Sequence, residues 1–438
     1  MLTIATNPHS AAVQRGLMLV HRSASYSALV TSLMSRLAKQ HIDYSHDIKP
    51  LFGNPIAFGV VRASGLGSSG SQPFLAAWVT HSESALNALI PKLHAHSAGT
   101  HDGAKLYTAT TGAAAAVDGS TLLLASSISG LNAALDRHAN GGGMGSAAYT
   151  RDMRGLGSSA PVTVVGNLTA ALAATRTAPA GRIPWVAAIR GYGVAITGGP
   201  NDLTLRYHID TSGRSLSSTQ LPLASGSASP QLVGTAPIQL ALREPARSLN
   251  FILAAIQAAE PSTYTKLVAE EAALEAAAGI SITSLIGSLT GSLEVGSDGH
   301  MTLVSAGLSD PATVSNALGK LADLAAIGSS RAIRALGGGF YAFRSGTTSI
   351  VLGVAAGHLV AGNGSPAQLT SFASAPASGG PSGGALTFRV ALAQLVSLVL
   401  KSTPSASEQQ ILSLLGDLTG SLQASPSGLT GTASLTLR

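Results

Sequence analysis

Residues 285–311 read LIGSLTGSLEVGSDGHMTLVSAGLSDP. Apolar and polar residues alternate in LTGSLEV and MTLVSAG, as in strands with one wet face, and Ser297-Asp298-Gly299 supplies the turn between them. A helix end precedes the first strand, and Asp310-Pro311 starts another helix after the second. Residues 414–437, LLGDLTGSLQASPSGLTGTASLTL, repeat the pattern. Leu285, Gly287, the run Leu289–Leu293 and Gly299 recur as Leu414, Gly416, the run Leu418–Leu422 and Gly428. The hairpin is therefore a repeated unit, with weaker copies at Leu51–Thr80 and Trp185–Ile209. Asp298 and His300 align with Ser427 and Leu429, so their polar groups read as turn chemistry rather than as a site.

The rest of the chain is built around these hairpins. In the first half, Leu2–Thr6 reads as a strand and Ser25–Lys39 as a helix, with Leu29, Val30, Leu33 and Leu37 at helical spacing. The hairpin 51–80 leads to a helix over Ala85–His94, opened by Ser82 and Ser84. Three short strands follow, at Lys105–Ala109, Ala113–Val117 and Leu122–Ala125, then helices at Ser126–His138 and Leu168–Thr175 around a strand at Pro161–Val165. The second half replays this order. A strand at Ile238–Arg243 and helices at Pro245–Ala259 and Thr263–Ala278 precede the hairpin. After it come a helix over Ala312–Ala325, strands at Phe340–Arg344, Ser349–Val354 and His358–Ala361, and a helix over Ser365–Phe372. A strand at Ala385–Val390 and helices at Ala391–Lys401 and Glu408–Leu415 lead to the closing hairpin. Short turns imply antiparallel pairing. The expected fold is α+β: a duplicated domain of antiparallel sheets made from strand–helix–hairpin units, with helices packed on one face. The expected domains are 1–212 and 236–438, joined by a Ser/Gly/Pro-rich linker over 213–235.

Composition narrows the class. Of 438 residues, 45% are hydrophobic and 11% charged, against about 25% charged in an average soluble protein. That is enough apolar material for more than one core, and it excludes a disordered chain. The formal charge is +6, but the 26 Lys and Arg are scattered, with no basic run and few aromatics to stack on bases, so nucleic acid is not an expected partner. With no cysteine, disulfides, thiolate catalysis and zinc–thiolate sites are excluded. The first residues already read as a strand rather than a signal peptide, and no apolar run reaches the roughly 18 residues of a membrane span.

The ordered blocks FGNPIAFGVV, FLAAWVTHSESALNALIPKL, GAKLYTATTGAAAAVDGSTLLLASSISGLNAAL and AAYTRDMRGLGSSAPVTVVGNLTAAL run through the first half, and LTGSLEV with LVSAGLSDPATVSNALGKL through the second. Together they resemble the bacterial, mainly actinobacterial family called domain of unknown function 3352. The resemblance rests on hairpin–helix order, Asp310-Pro311 and the AVDGSTLLLASS block, and covers most of the chain. It implies an extracytoplasmic, membrane-associated protein, tethered by an N-terminal signal, lipobox or single helix that this sequence does not display. It supplies no catalytic residues.

Four constellations have a chemical reading. Gly65–Gly70 matches GxGxxG, but lies between two expected strands rather than between a strand and a helix, so a hairpin loop is expected. Gly380–Gly384 matches GxSxG, but a loop precedes Ser382 and a strand follows, the reverse of a nucleophile elbow. His94, His96, His101 and Asp102, and likewise His41, Asp43, His46 and Asp47, combine imidazole with carboxylate and so could ligate a metal; their positions at helix ends and in loops argue against it. Glu271 and Glu275, one helical turn apart beside Glu270, read as solvated helix charge rather than an acid–base pair. No catalytic, cofactor or metal residue is assigned. The expected function is a non-enzymatic cell-envelope protein that binds a partner or an apolar ligand. A hydrolase or metal-dependent enzyme and a structural spacer are the alternatives.

Overall fold

A computed structural model describes residues 1–21, 24–60, 74–109, 112–143, 145–157, 159–169, 172, 179–226, 228–327, 333–345, 348–399 and 412–438. The chain is 38% helix and 35% strand with antiparallel sheet, which makes it α+β. It divides into two compact units: Met1–Ala171 with Gly191–His208, and Leu172–Arg190 with Ile209–Arg438.

In the first unit the strands are β1 (Leu2–Ile4), β2 (Ile56–Val60), β3 (Phe74–Val79), β4 (His96–His101), β5 (Ala104–Thr108), β6 (Ala114–Asp118), β7 (Thr121–Ala125), β8 (Val162–Asn167), β9 (Gly191–Gly198) and β10 (Asp202–Asp210), the last of which runs past the unit's end at His208. They pair in the order β4-β5-β6-β7-β3-β2-β1-β8-β9-β10. In the second unit they are β11 (Ile238–Arg243), β12 (Leu289–Ser297), β13 (Thr302–Leu308), β14 (Ile333–Gly337), β15 (Phe340–Ser345), β16 (Thr348–Ala355), β17 (His358–Gly362), β18 (Leu386–Ala391), β19 (Leu415–Ser425) and β20 (Gly428–Leu437). Their order is β14-β15-β16-β17-β13-β12-β11-β18-β19-β20. Adding ten to each strand number of the first order gives the second.

Helices form where the sequence offers caps and an apolar stripe. In the first unit, Ser82 accepts from the Ala85 amide and opens helix Glu83–Lys92. Its Leu86, Leu89 and Ile90 pack against Ile42, Leu51, Val117 and Leu122. Ser127 caps Ile128–Ala139 in the same way, and Leu131 and Leu135 lie against Ala104, Leu106, Ala114, Ala116 and Ala125. The alanines let the helix approach the strands closely. In the second unit, Leu369 of helix Pro366–Ala373 packs with Leu303, Phe340, Val351 and Val360.

The two faces of the second unit's sheet differ sharply. Partners directly across antiparallel strands share a face. One such row runs Ser305–Glu294–Ala241–Thr387–Ser421, and every member is buried. The alternate rows, Val304–Val295–Leu240–Phe388 and Leu293–Leu242–Leu386–Leu422, are apolar yet only half-buried. A strap covers the polar row. Thr387 Oγ1 donates to the Pro230 carbonyl at 3.2 Å and Gln239 Nε2 to the carbonyls of Val233 and Gly234 at 3.0 and 2.7 Å. Arg243 donates to those of Ala228 and Ser225 at 2.7 and 2.5 Å.

This strap is the stretch expected to be a linker, and that expectation is corrected. Leu216, Leu221, Ala224 and Leu232 within it are buried, two of them beside Ala188, Trp185 and Ala424. A flexible linker would leave these side chains in water. The second domain accordingly begins at Ile209, not 236, and it also takes Leu172–Arg190. The expected strand from Trp185 is a short helix, Pro184–Ala188, with Pro184 in its first turn, and β9 starts only at Gly191. Helices Ala11–His21 and Ser146–Asp152 and edge strands β4 and β14 are additions to the expected elements. Most of the expected helix at 168–175 and the first half of that at 408–415 lie outside the described residues, and Leu415 already belongs to β19.

The shared run LTGSL does not hold equivalent places in its two hairpins. Gly291 sits in a bulge of β12, between Thr290 and Leu293, with φ +65. In β19 the bulge falls between Leu415 and Leu418, and Gly420 is a paired residue roofed by Phe388.

Two outcomes test this arrangement. Leu232→Ala is expected to cost about 2–5 kcal/mol, the penalty of a core truncation, where a linker residue would cost almost nothing; urea unfolding measures it. Glu294 is 9% exposed, and burial raises its carboxyl pKa, opposed by the Ser292 hydroxyl and the charge of His358. A raised carboxyl pKa favours the folded state below the ordinary glutamate range and penalises it as pH climbs toward the raised value. Glu294→Gln is therefore expected to melt above the wild type at neutral pH, the gap closing as pH falls through that range.

Candidate functional site

A concavity lies in the second unit, where helix Pro245–Ala259 starts beside the bulge of β12. It is a cleft of about 540 Å³ lined by Thr219, Glu244, Ala246, Arg247, Asn250, Leu289, Thr290 and Gly291. That volume lies within the range of small-molecule sites. Two irregularities build it. Glu244, between Arg243 and Pro245, takes φ +51, ψ +59, a left-handed conformation costly for a side chain with Cβ. Its amide donates to the Gly291 carbonyl at 2.9 Å, joining the helix start to the bulge. Because Glu244 turns the chain there, Pro245 occupies the first helical position, where its missing N–H costs nothing.

Charge in the cleft is largely internal. Arg247 reaches Glu244 at 3.5 Å and donates to the Ser218 carbonyl at 2.7 Å, while Arg243 lies 3.6 Å from the same carboxylate. Asn250, Thr290 and Thr219 add neutral polar groups beside the apolar Leu289 and Ala246. Such a surface suits an apolar body with an uncharged polar end. Two smaller pockets, about 320 Å³ beside Phe372 and about 200 Å³ where Arg389 pairs with Asp417 at 2.7 Å, lie in the same unit.

The residues singled out in the sequence have other places. Among the described residues, His101, Asp102 and Asp136 form a group whose ligand-type atoms lie within 4.8 Å of one another. His101 Nε2 sits 2.7 Å from Asp136 and 3.7 Å from Asp102. The hydrogen bond to Asp136 leads in raising the His101 pKa. The group stands at an exposed two-residue turn, Asp102-Gly103. His96 lies on edge strand β4, and His94 precedes it with φ +52.

The second histidine-rich stretch is a cap and an ion pair. Asp43 accepts from the His46 amide at 2.8 Å, and Lys92 holds both oxygens of buried Asp47 at 2.8 and 2.7 Å. The Lys92 hydrogen bond leads in lowering the Asp47 pKa. Glu271 accepts from the Thr283 amide at 2.7 Å, which lowers its pKa and ties helix Pro261–Ala278 to the next. The GxSxG loop is packing: Gly383 and Gly384 donate to Ser229 Oγ, and the Ser382 carbonyl accepts from Ser421. The GxGxxG match at Gly65–Gly70 lies outside the described residues.

No family model matches the chain, and no curated protein matches it. Among solved structures, crystal form III of TP0453 aligns over 49% of this chain and 78% of its own at 9% identity, with a TM-score of 0.28. Crystal form IV of TP0453 aligns over 51% and 81% at 13% identity, with a TM-score of 0.27. Likeness at that level carries no argument about fold or function. No helix among the described residues is long and apolar enough to cross a membrane.

Sequence reading missed the cleft. Its one local signal is Arg243-Glu244-Pro245, a charged residue before a proline at a strand's end; Thr219 comes from earlier in the chain, and Leu289, Thr290 and Gly291 come from the next hairpin. Retention of strain predicts a trade. Glu244→Gly is expected to stabilise the protein by about 1 kcal/mol, because glycine enters the left-handed region freely, while weakening whatever the cleft holds. Paired denaturation and binding measurements would register both changes.

Proposed function

We propose that the protein is a non-enzymatic, cell-envelope-associated binding protein of the domain of unknown function 3352 kind, and that the cleft beside Gly291 holds an apolar ligand with an uncharged polar end. The cleft carries this reading: it has ligand-sized volume and a lining that sets apolar Ala246 and Leu289 beside neutral polar groups, built at a cost in backbone strain. The half-buried apolar rows of the same sheet favour a ligand with an extended hydrocarbon part. The envelope location rests on the sequence resemblance.

We further infer that the two units descend from one by duplication. Their common strand order, and the common succession of paired helices, hairpin, helix, four-strand meander and helix, support it.

Native mass spectrometry and organic extraction of protein purified from its own host test the binding reading, with the uncharged dye N-phenyl-1-naphthylamine as the probe for the emptied cleft. Extractable ligand and dye binding are expected, both reduced at least tenfold by Ala246→Trp at unchanged melting temperature. Protein that emerges empty and ignores the dye, or dye binding indifferent to Ala246→Trp, would overturn it.

A further inference from the structure

Helices Ala11–His21 and Ala24–Lys39 of the first unit carry large apolar side chains on their solvent side. Leu29 is 68% exposed, Met18 56%, Leu33 50% and Leu17 40%. Leu29, Leu33 and Arg36 fall on one line of the second helix, and Arg15, Met18 and His21 on one line of the first. These are not the residues that hold the helices to the fold. Val30, Met34 and Leu37 form the half-buried line of the second helix, and Leu37 packs against the Ile42–Leu51–Leu86 cluster.

Charge is what sets this pair apart. Between Ala11 and Lys39 the chain has Arg15, Arg22, Arg36 and Lys39 and no acidic residue; the first acid is Asp43. Helices Pro245–Ala259 and Pro261–Ala278 hold the same place in the second unit, between its first and second strands, and also expose apolar side chains at Ile252, Leu267 and Val268. That pair carries Arg247 and Lys266 against Glu260, Glu270, Glu271 and Glu275. Exposed apolar side chains with purely basic charge match the boundary of an anionic bilayer, where hydrocarbon enters the acyl edge and cations meet phosphate. The same side chains with net acidic charge would be repelled there.

We propose that the helix pair 11–39 docks the protein on an anionic lipid surface. Leu17, Met18, Leu29 and Leu33 enter the headgroup–acyl boundary, and Arg15, Arg36 and Lys39 meet the lipid phosphates. Attachment is peripheral, and neither helix has the length to span.

Co-sedimentation of the full chain with vesicles tests this, comparing mixed phosphatidylglycerol and phosphatidylcholine with phosphatidylcholine alone. Binding is expected to the anionic vesicles and to fall as salt is raised. Arg36→Gln with Lys39→Gln is expected to weaken it roughly tenfold or more, and Leu29→Asp with Leu33→Asp to abolish it. Ile252→Asp with Val268→Asp, on the acidic pair, is expected to leave it intact. Circular dichroism confirms that each variant is folded, and if the aspartate pair unfolds the protein, the glutamine pair decides. Equal binding to neutral vesicles, or no binding to either, overturns the proposal. So does self-association that Leu29→Asp abolishes in a protein that ignores vesicles, which assigns the face to a second copy. Ala246→Trp leaves vesicle binding unchanged, so failure here and failure of the cleft reading are separate results.

Discussion

The second unit depends on one strand being paired on both sides. β11 joins β12 from Ile238↔Ser297 to Arg243↔Ser292, and β18 from Ile238↔Val390 to Leu242↔Leu386. The hairpins on either side are local and close cheaply; these pairings reach across about 50 and 150 residues, and they join the two arms of the sheet. In the first unit β1 does the same between β2 and β8, reinforced at its ends where the Val165 amide donates to the Met1 carbonyl and the Ala5 amide to that of Pro161. Three residues of β1 therefore carry a join that six carry in β11.

Central pairing decides which side chains meet, and that dictates the strap. Placing Ser305, Glu294, Ala241, Thr387 and Ser421 in one row puts four polar groups on a face that becomes buried. Buried hydroxyls and amides need partners. Strap carbonyls from Ser225 to Gly234 and the Ser382 carbonyl supply acceptors for Thr387, Ser421, Gln239 and Arg243. Val233 bridges Ala377, and the Ser378 amide donates to Leu232, so the strap is itself pinned to the 374–384 loop. Both stretches are rich in Ser, Gly and Pro because they must lie flat on a sheet and turn often, not because they are free.

That distinction explains how much of the fold the sequence disclosed. Hairpins, caps and the order of elements were legible, since two-residue periodicity, Ser82, Ser127 and Asp310-Pro311 act locally. Strand β4, HSAGTH, was not, because an exposed edge strand has no apolar alternation to display. The strap was misread because composition cannot tell a packed irregular segment from a linker; Leu216, Leu221 and Leu232 were the signal, spaced too irregularly for any period. Matching LTGSL runs suggested matching positions, yet a bulge four residues earlier in one hairpin changes what each glycine does. The candidate metal and acid–base residues were visible as residue types. What they do, capping, pairing and tying helices, depends on partners such as Lys92, Asp136 and Thr283 that lie 12 to 45 residues away.

The cleft illustrates why a site can escape local reading even when its parts are ordinary. A glycine in a strand and a glutamate before a proline are each unremarkable in sequence. Glu244 must enter the left-handed region to turn β11 into a helix whose first residue is proline, and Gly291 must bulge so that Leu293 regains the apolar face on which Leu242 sits. The Glu244 amide needs an acceptor once it leaves the ladder, and the bulged Gly291 carbonyl is free to provide one. Each irregularity thus satisfies the other, and the space between them is the cleft. A straight β12 would restore the ladder, leave the Glu244 amide without its partner and close the cavity.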